Sequence, residues 1–322
     1  MRIIIVTLYE THITKLNLLN RSLVLNSSVT MTSSPNLSPT VMECFYQPLP
    51  QLLRRDIIYE SVKPSSTTTA KALPPYVYLC KPDRPFQKLA EDYLGKDRTQ
   101  GSEYSRQQIG PEFKQLTLDN EADLVLASHL FVIKPLLNIL KIRYGENFTA
   151  SCEQTSKKGS TRMDFVFRSA KDRQVVLVIE FKRREMIRYE DYHEALLPED
   201  APNIAIQAKI REAESTLVDD NQHALLSANA VSQAKQVATY ASMNDCEHVA
   251  LLNWDHLLLF EFDMRSKAEA TSTTAGDTAK LTWVSQDRDL ECKHVNEGNI
   301  RKALLGFALH AFEKHGISKV SP

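Results

Sequence analysis

The chain has 322 residues, 43% hydrophobic and 25% charged, with 39 Lys and Arg against 40 Asp and Glu. That composition excludes a wholly disordered, collagen-like or coiled-coil chain, and a net charge of −1 leaves no global field to recruit DNA or an anionic membrane. Five cysteines without a CxxC pair argue against a disulfide scaffold and a structural zinc site, and fit a reducing intracellular compartment, nuclear or cytoplasmic.

The first segment, MRIIIVTLYE, imitates a short signal peptide, but Glu10 interrupts the apolar run and no small-residue cleavage site follows closely. No run approaches the roughly 18 apolar residues of a transmembrane helix, so no membrane contact is expected. Residues 26–40 and 62–75 are rich in Ser, Thr and Pro without periodicity. Residues 1–75 therefore read as a flexible, disordered N-terminal arm, with a short docked helix suited to the apolar residues between the two stretches. Residues 76–117 hold a strand (YVYLC) and a short helix (FQKLAEDYL), an extension packing on the core.

A domain over 118–317 follows. Residues 118–144 have the pattern of a helix, capped by Asp119 or Asn120, kinked at Pro135 and stopped at Gly145. NFTASCEQ and RMDFVFRS read as a hairpin around SKKGS, and RQVVLVIEFKR as a strand. Residues 185–228 form an acidic insert with helical stretches, ten acids against three bases. Next come a helix (ANAVSQAKQVATYASMN), two strands joined by a tight turn at Asp255-His256, a final strand (LTWVSQ) and an amphipathic closing helix. The order predicts an α/β fold with helices around a mixed sheet.

Three charged residues gather on adjacent predicted strands. Asp164 starts DFVF, and Glu180 and Lys182 end VVLVIEFK. Alternation puts Val176, Val178, Glu180 and Lys182 on one face, with Val175, Leu177, Ile179 and Phe181 on a core face. A carboxylate beside a lysine at the end of a central strand is costly unless paired or used. The chemistry suited to the set is metal-assisted phosphodiester hydrolysis. Two carboxylates supply hard oxygen ligands to Mg²⁺ or Mn²⁺, and the lysine orients water or offsets charge on the phosphate. Structural readings stand beside these. Asp164 suits a turn acid closing the hairpin, and Glu180 with Lys182 suits an ion pair at a sheet end. The nine histidines show neither HExxH nor zinc spacing and read as structural.

Asp164, fifteen residues, then Glu180-Phe181-Lys182 resembles the PD-(D/E)XK nuclease superfamily. Met163 stands where the name's proline would be. The resemblance covers roughly 118–265 and implies a restriction-endonuclease-like αβββαβ core. It also implies a further metal-site glutamate on the first helix, matched by Glu121, although an acid there equally suits the helix dipole and Asp123 is an alternative. RecB-type members carry Gln-x-x-x-Tyr on the second helix, matched by Gln236 and Tyr240, which would position the scissile strand; Gln233 extends that stripe. The layout also resembles fungal proteins carrying such a domain.

Local charge fits a phosphate-facing site. Residues 157–188 hold ten bases against four acids. Lys157, Lys158 and Arg162 flank Asp164, and Arg183 and Arg184 follow Lys182, where a nucleic-acid backbone would run. The expected function is a metal-dependent nuclease acting on DNA, or on RNA. The alternatives are an inactive nuclease-fold module binding nucleic acid or protein, and a partner-binding scaffold using the acidic insert and the C-terminal helix.

Overall fold

The fold is seen in a computed structural model, which describes residues 39–52, 73–96, 101–109, 117–155, 162–216, 225–263, 277–286 and 294–320. Most of the proposed arm, the hairpin tip with Lys157 and Lys158, and the side chain of Arg162 lie outside the described residues.

The strands are β1 (Val77–Cys80), β2 (Phe148–Thr155), β3 (Arg162–Ser169), β4 (Val175–Phe181), β5 (Leu196–Pro198), β6 (His248–Leu252), β7 (His256–Phe262), β8 (Thr278–Ser285) and β9 (Val295–Glu297). They form one mixed sheet in the order β2-β3-β4-β6-β7-β8-β1-β5, with β9 pairing β8. Pairing is antiparallel from β2 through β4, parallel between β4 and β6, antiparallel from β6 through β8, and parallel at β1, β5 and β9. The helices are α1 (Val41–Cys44), α2 (Arg84–Leu94), α3 (Glu103–Arg106), α4 (Glu121–Tyr144), α5 (Tyr189–Tyr192), α6 (Asn203–Thr216), α7 (Ala228–Asn244) and α8 (Ile300–Lys314).

Helices cover both faces. On one, α1, α2, α4 and α8 pack on Phe167, Leu177, Ile179, Phe181, Ala250, Leu252 and Leu259. On the other, α6 and α7 pack on Val166, Val178, Val249, Leu251, Leu258 and Phe260. This explains why β4 is apolar except at Glu180: every one of its residues is buried. Strict alternation fails at its start. The β3–β4 register shifts between Phe167 and Arg168, a bulge that puts Val176 in the same core as Leu177 and moves Val175 to the opposite one. From Leu177 onward alternation holds, so Val178 and Glu180 face α7.

Helix α4 begins where Asn120 accepts the Asp123 N–H at 3.0 Å, and ends at Gly145, whose φ of 54° suits glycine. The disturbance expected at Pro135 takes the form of a π turn at His129–Ile133, with Lys134 N–H donating to the His129 carbonyl. Contrary to the sequence reading, this helix is long and apolar enough to cross a membrane by length and composition. Of its most apolar window, 56% is buried, as in a core helix. Helix α8 crosses α2 at Gly306, where a Cβ would stand 1.8 Å from the Phe86 carbonyl oxygen.

Two boundaries differ from expectation. Residues 39–52, placed in the arm, pack on the body: Val41, Cys44, Phe45, Leu49 and Leu52 are buried, and Arg301 donates to the Gln47 and Pro48 carbonyls at 2.9 and 2.8 Å. Strand β1, placed in an extension, lies inside the sheet between β8 and β5. The described part of the insert carries the helices α5 and α6 and also the strand β5, which pairs with β1.

Candidate functional site

The β3–β4 ladder runs to Phe165 opposite Ile179. One step further, the Asp164 side chain takes over the pairing: its Oδ2 accepts the Phe181 N–H at 2.9 Å. Burial pushes the Asp164 carboxyl up to about 7, with the neighbouring Glu180 charge adding to it, against the pull of that N–H and of Lys182.

Glu180 is 3% exposed and is held by three donors. Lys182 Nζ reaches Oε1 at 2.7 Å, Gln236 Nε2 reaches Oε1 at 2.5 Å, and the Tyr240 hydroxyl reaches Oε2 at 2.8 Å. Gln236 also donates to the Tyr240 oxygen at 2.6 Å. Gln236 and Tyr240 lie one turn apart on α7 and so share the face that looks onto β4. Burial and the Glu180 charge hold the Tyr240 hydroxyl well above the ordinary tyrosine value, so it stays a donor. For Lys182, burial pulls the ammonium down, but Glu180, with Glu121 and Asp164 behind it, outweighs that and holds it above the ordinary lysine value.

Glu180, Lys182, Gln236 and Tyr240 thus form one hydrogen-bonded group, and Asp164, held on the Phe181 N–H, acts on it through charge. Glu121 is exposed in the first turn of α4 and acts on Asp164 and Lys182 through its charge. The polar atoms of Gln236 and Tyr240 are turned onto Glu180. Gln233 looks elsewhere, accepting from the Tyr192 hydroxyl at 2.9 Å and donating to the Met186 carbonyl at 2.7 Å, which ties the insert to α7.

Beyond Lys182 the two arginines diverge. Arg183 extends toward Met186 Sδ at 4.0 Å. Arg184 is committed within the protein, its Nε and Nη2 each 2.6 Å from an Asp255 oxygen in a two-bond fork. Arg184, Arg188, Trp254, His256 and residues 48–52 line a groove of about 860 Å³. Trp254 holds a φ of 79° at the β6–β7 turn, an unusual conformation for a bulky residue, with its Nε1 donating to the Pro50 carbonyl at 3.2 Å.

A second cluster escaped the sequence reading. His248, Glu261 and His310 have one ligand atom each within 4.8 Å of one another, a candidate metal-binding triad. His248 and Glu261 are paired across β6 and β7, and His310 comes from α8. Burial, with His310 adding to it, pushes the His248 ring down to about 3. Burial raises the Glu261 carboxyl, but His310 and Lys81 outweigh it and bring the group to about 2. No local spacing signals the triad, because its members come from three elements. No family model matches the chain, and no curated protein or solved structure matches it.

Proposed function

We propose that the protein is a metal-dependent nuclease that hydrolyses phosphodiester bonds in DNA, with a PD-(D/E)XK-like site. The observation that carries the reading is the convergence of Asp164, Glu180 and Lys182 where β3 begins and β4 ends, with Lys182 Nζ 2.7 Å from Glu180 Oε1. The run α4-β2-β3-β4-α7-β6 supports it, being the order that a restriction-endonuclease-like core has.

The residues fit a divalent cation. Asp164 is raised to about 7 by burial and by its carboxylate neighbour, a repulsion that a cation relieves. Asp164 and Glu180 would hold Mg²⁺ or Mn²⁺, with Glu121 adding charge from α4. Bound there, the ion supplies Lewis-acid polarisation of a phosphoryl oxygen. Lys182, beside Glu180, would orient the attacking water or offset charge developing on the phosphate. Gln236 and Tyr240 fix the Glu180 carboxylate, which in turn fixes Lys182. Arg183 and the basic β2–β3 hairpin supply contacts to the nucleic-acid backbone.

A second reading draws on the same bonds. Three donors on a carboxylate that is 3% exposed also suit a polar core network, in a module that binds nucleic acid or protein without cutting it. Cleavage of single- and double-stranded DNA in Mg²⁺, Mn²⁺ and EDTA, with Glu180→Ala alongside, separates the two. Metal-dependent cutting lost in the variant supports the nuclease. Salt-sensitive retention without cutting supports the binding module.

A further inference from the structure

On the other face of the sheet, His248, Glu261 and His310 form a cluster with no part in the carboxylate site. His248 opens β6, whereas Leu252 at its far end accepts the Lys182 N–H at 2.9 Å. Four residue steps along the strand separate them, about 13 Å. His248 lies against Phe307 of α8, with ring centroids 5.3 Å apart, while Glu180 faces α7.

We propose that His248, Glu261 and His310 bind a zinc ion that fastens α8 to the β6–β7 hairpin. Two imidazoles and one carboxylate form a donor set suited to zinc, whereas magnesium prefers oxygen throughout. The ligand atoms lie within 4.8 Å of one another. Donors on a tetrahedral zinc stand roughly 3.3 Å apart at bonds of about 2.0 Å, so closure draws them in by about 1.5 Å at most. Glu261 is already oriented: Lys81 Nζ holds Oε1 at 2.8 Å, and Oε2 stands 3.6 Å from His310 Nε2. Lys81 here is the partner behind the ligand that fixes its direction.

An independent observation points to an absent ligand. His248 is 3% exposed, and its Nε2 is buried with no hydrogen-bond partner among the described residues. A buried polar atom of that kind is costly, and zinc satisfies it with a bond. The His310 side chain is 39% exposed, which leaves a side open to water as the fourth ligand.

The test uses tag-free full-length protein, stripped with a chelator and titrated with Zn²⁺ or Co²⁺ in excess Mg²⁺, which occupies oxygen ligands and competes poorly for imidazole. The wild type takes up one equivalent, Co²⁺ gives the visible bands of tetrahedral coordination, and zinc raises the melting temperature. His310→Ala, at a part-exposed position, keeps the fold and loses at least about 100-fold in affinity, since even partners behind a ligand cost 10–100-fold. It also loses the zinc-dependent rise in melting temperature. Absence of uptake by the wild type, or equal uptake by His310→Ala, overturns the proposal and leaves an ion cluster of Lys81, Glu261 and His310.

Discussion

The Tyr240 hydroxyl donates to Glu180 Oε2 at 2.8 Å, joining helix α7 to the end of strand β4 beneath Lys182. Both groups are buried, so the bond lies where a lost partner is expensive. Tyr240→Phe removes the donor and keeps the ring. The expected loss is about 1–3 kcal/mol, read as a lower urea midpoint at unchanged slope. An unchanged midpoint contradicts the role given to this bond.

Asp164 links stability to pH. Between the ordinary aspartate value of 3.8 and about 7, the folded state keeps a proton that the unfolded chain has lost. Stability therefore falls as pH rises through that window. Asp164→Asn removes the ionisation. In metal-free buffer its melting temperature gains on the wild type from about pH 4 to pH 7 and levels off above. Across that window the variant gains on the order of 4 kcal/mol relative to the wild type. A constant difference across the range contradicts the raised pKa.

The two arginines after Lys182 separate by their partners. Arg184 is bound bidentately to Asp255, so Arg184→Ala acts mainly on stability, by about 1 kcal/mol for a part-exposed pair. Arg183→Ala lowers the salt dependence of DNA retention by about one unit in log–log slope, as for one phosphate contact. The reverse ranking in a salt titration contradicts this assignment.

At Gly306 the backbone of α8 lies against that of α2 at Phe86. With a Cβ placed 1.8 Å from the Phe86 carbonyl, Gly306→Ala forces the helices apart. The loss is about 3 kcal/mol, at the upper end of overpacking, despite the better helix propensity of alanine. Denaturant unfolding reads it directly, and a stabilised variant contradicts the contact.

The sequence carried the regular elements well where burial imposed a pattern. Helix α7 spans Ala228–Asn244 as its sequence periodicity indicates, and β4 was legible from its Val and Ile run. Strands β5 and β9, at three residues each, are too short for any period to show, and exist because β1 and β8 offer edges to pair with. The bulge at Val176 has no local signature either, since it arises from the β3 register. The Asp…Glu-x-Lys residues and the Gln and Tyr of α7 were joined as one set through the resemblance to PD-(D/E)XK nucleases. The direction of Gln236 and Tyr240, onto Glu180, was not visible, because it depends on how α7 packs on β4. The histidine triad was illegible for the same reason, its ligands being spread over β6, β7 and α8.

The measurement closest to the central claim is single-turnover cleavage of duplex DNA by the wild type and Lys182→Met, with Mn²⁺ binding followed in parallel. Lys182 as the cation that offsets charge on the phosphate predicts a loss of about 100–1000-fold in rate with Mn²⁺ still bound. Equal rates in the two proteins, or no metal-dependent cleavage by the wild type, would contradict the account.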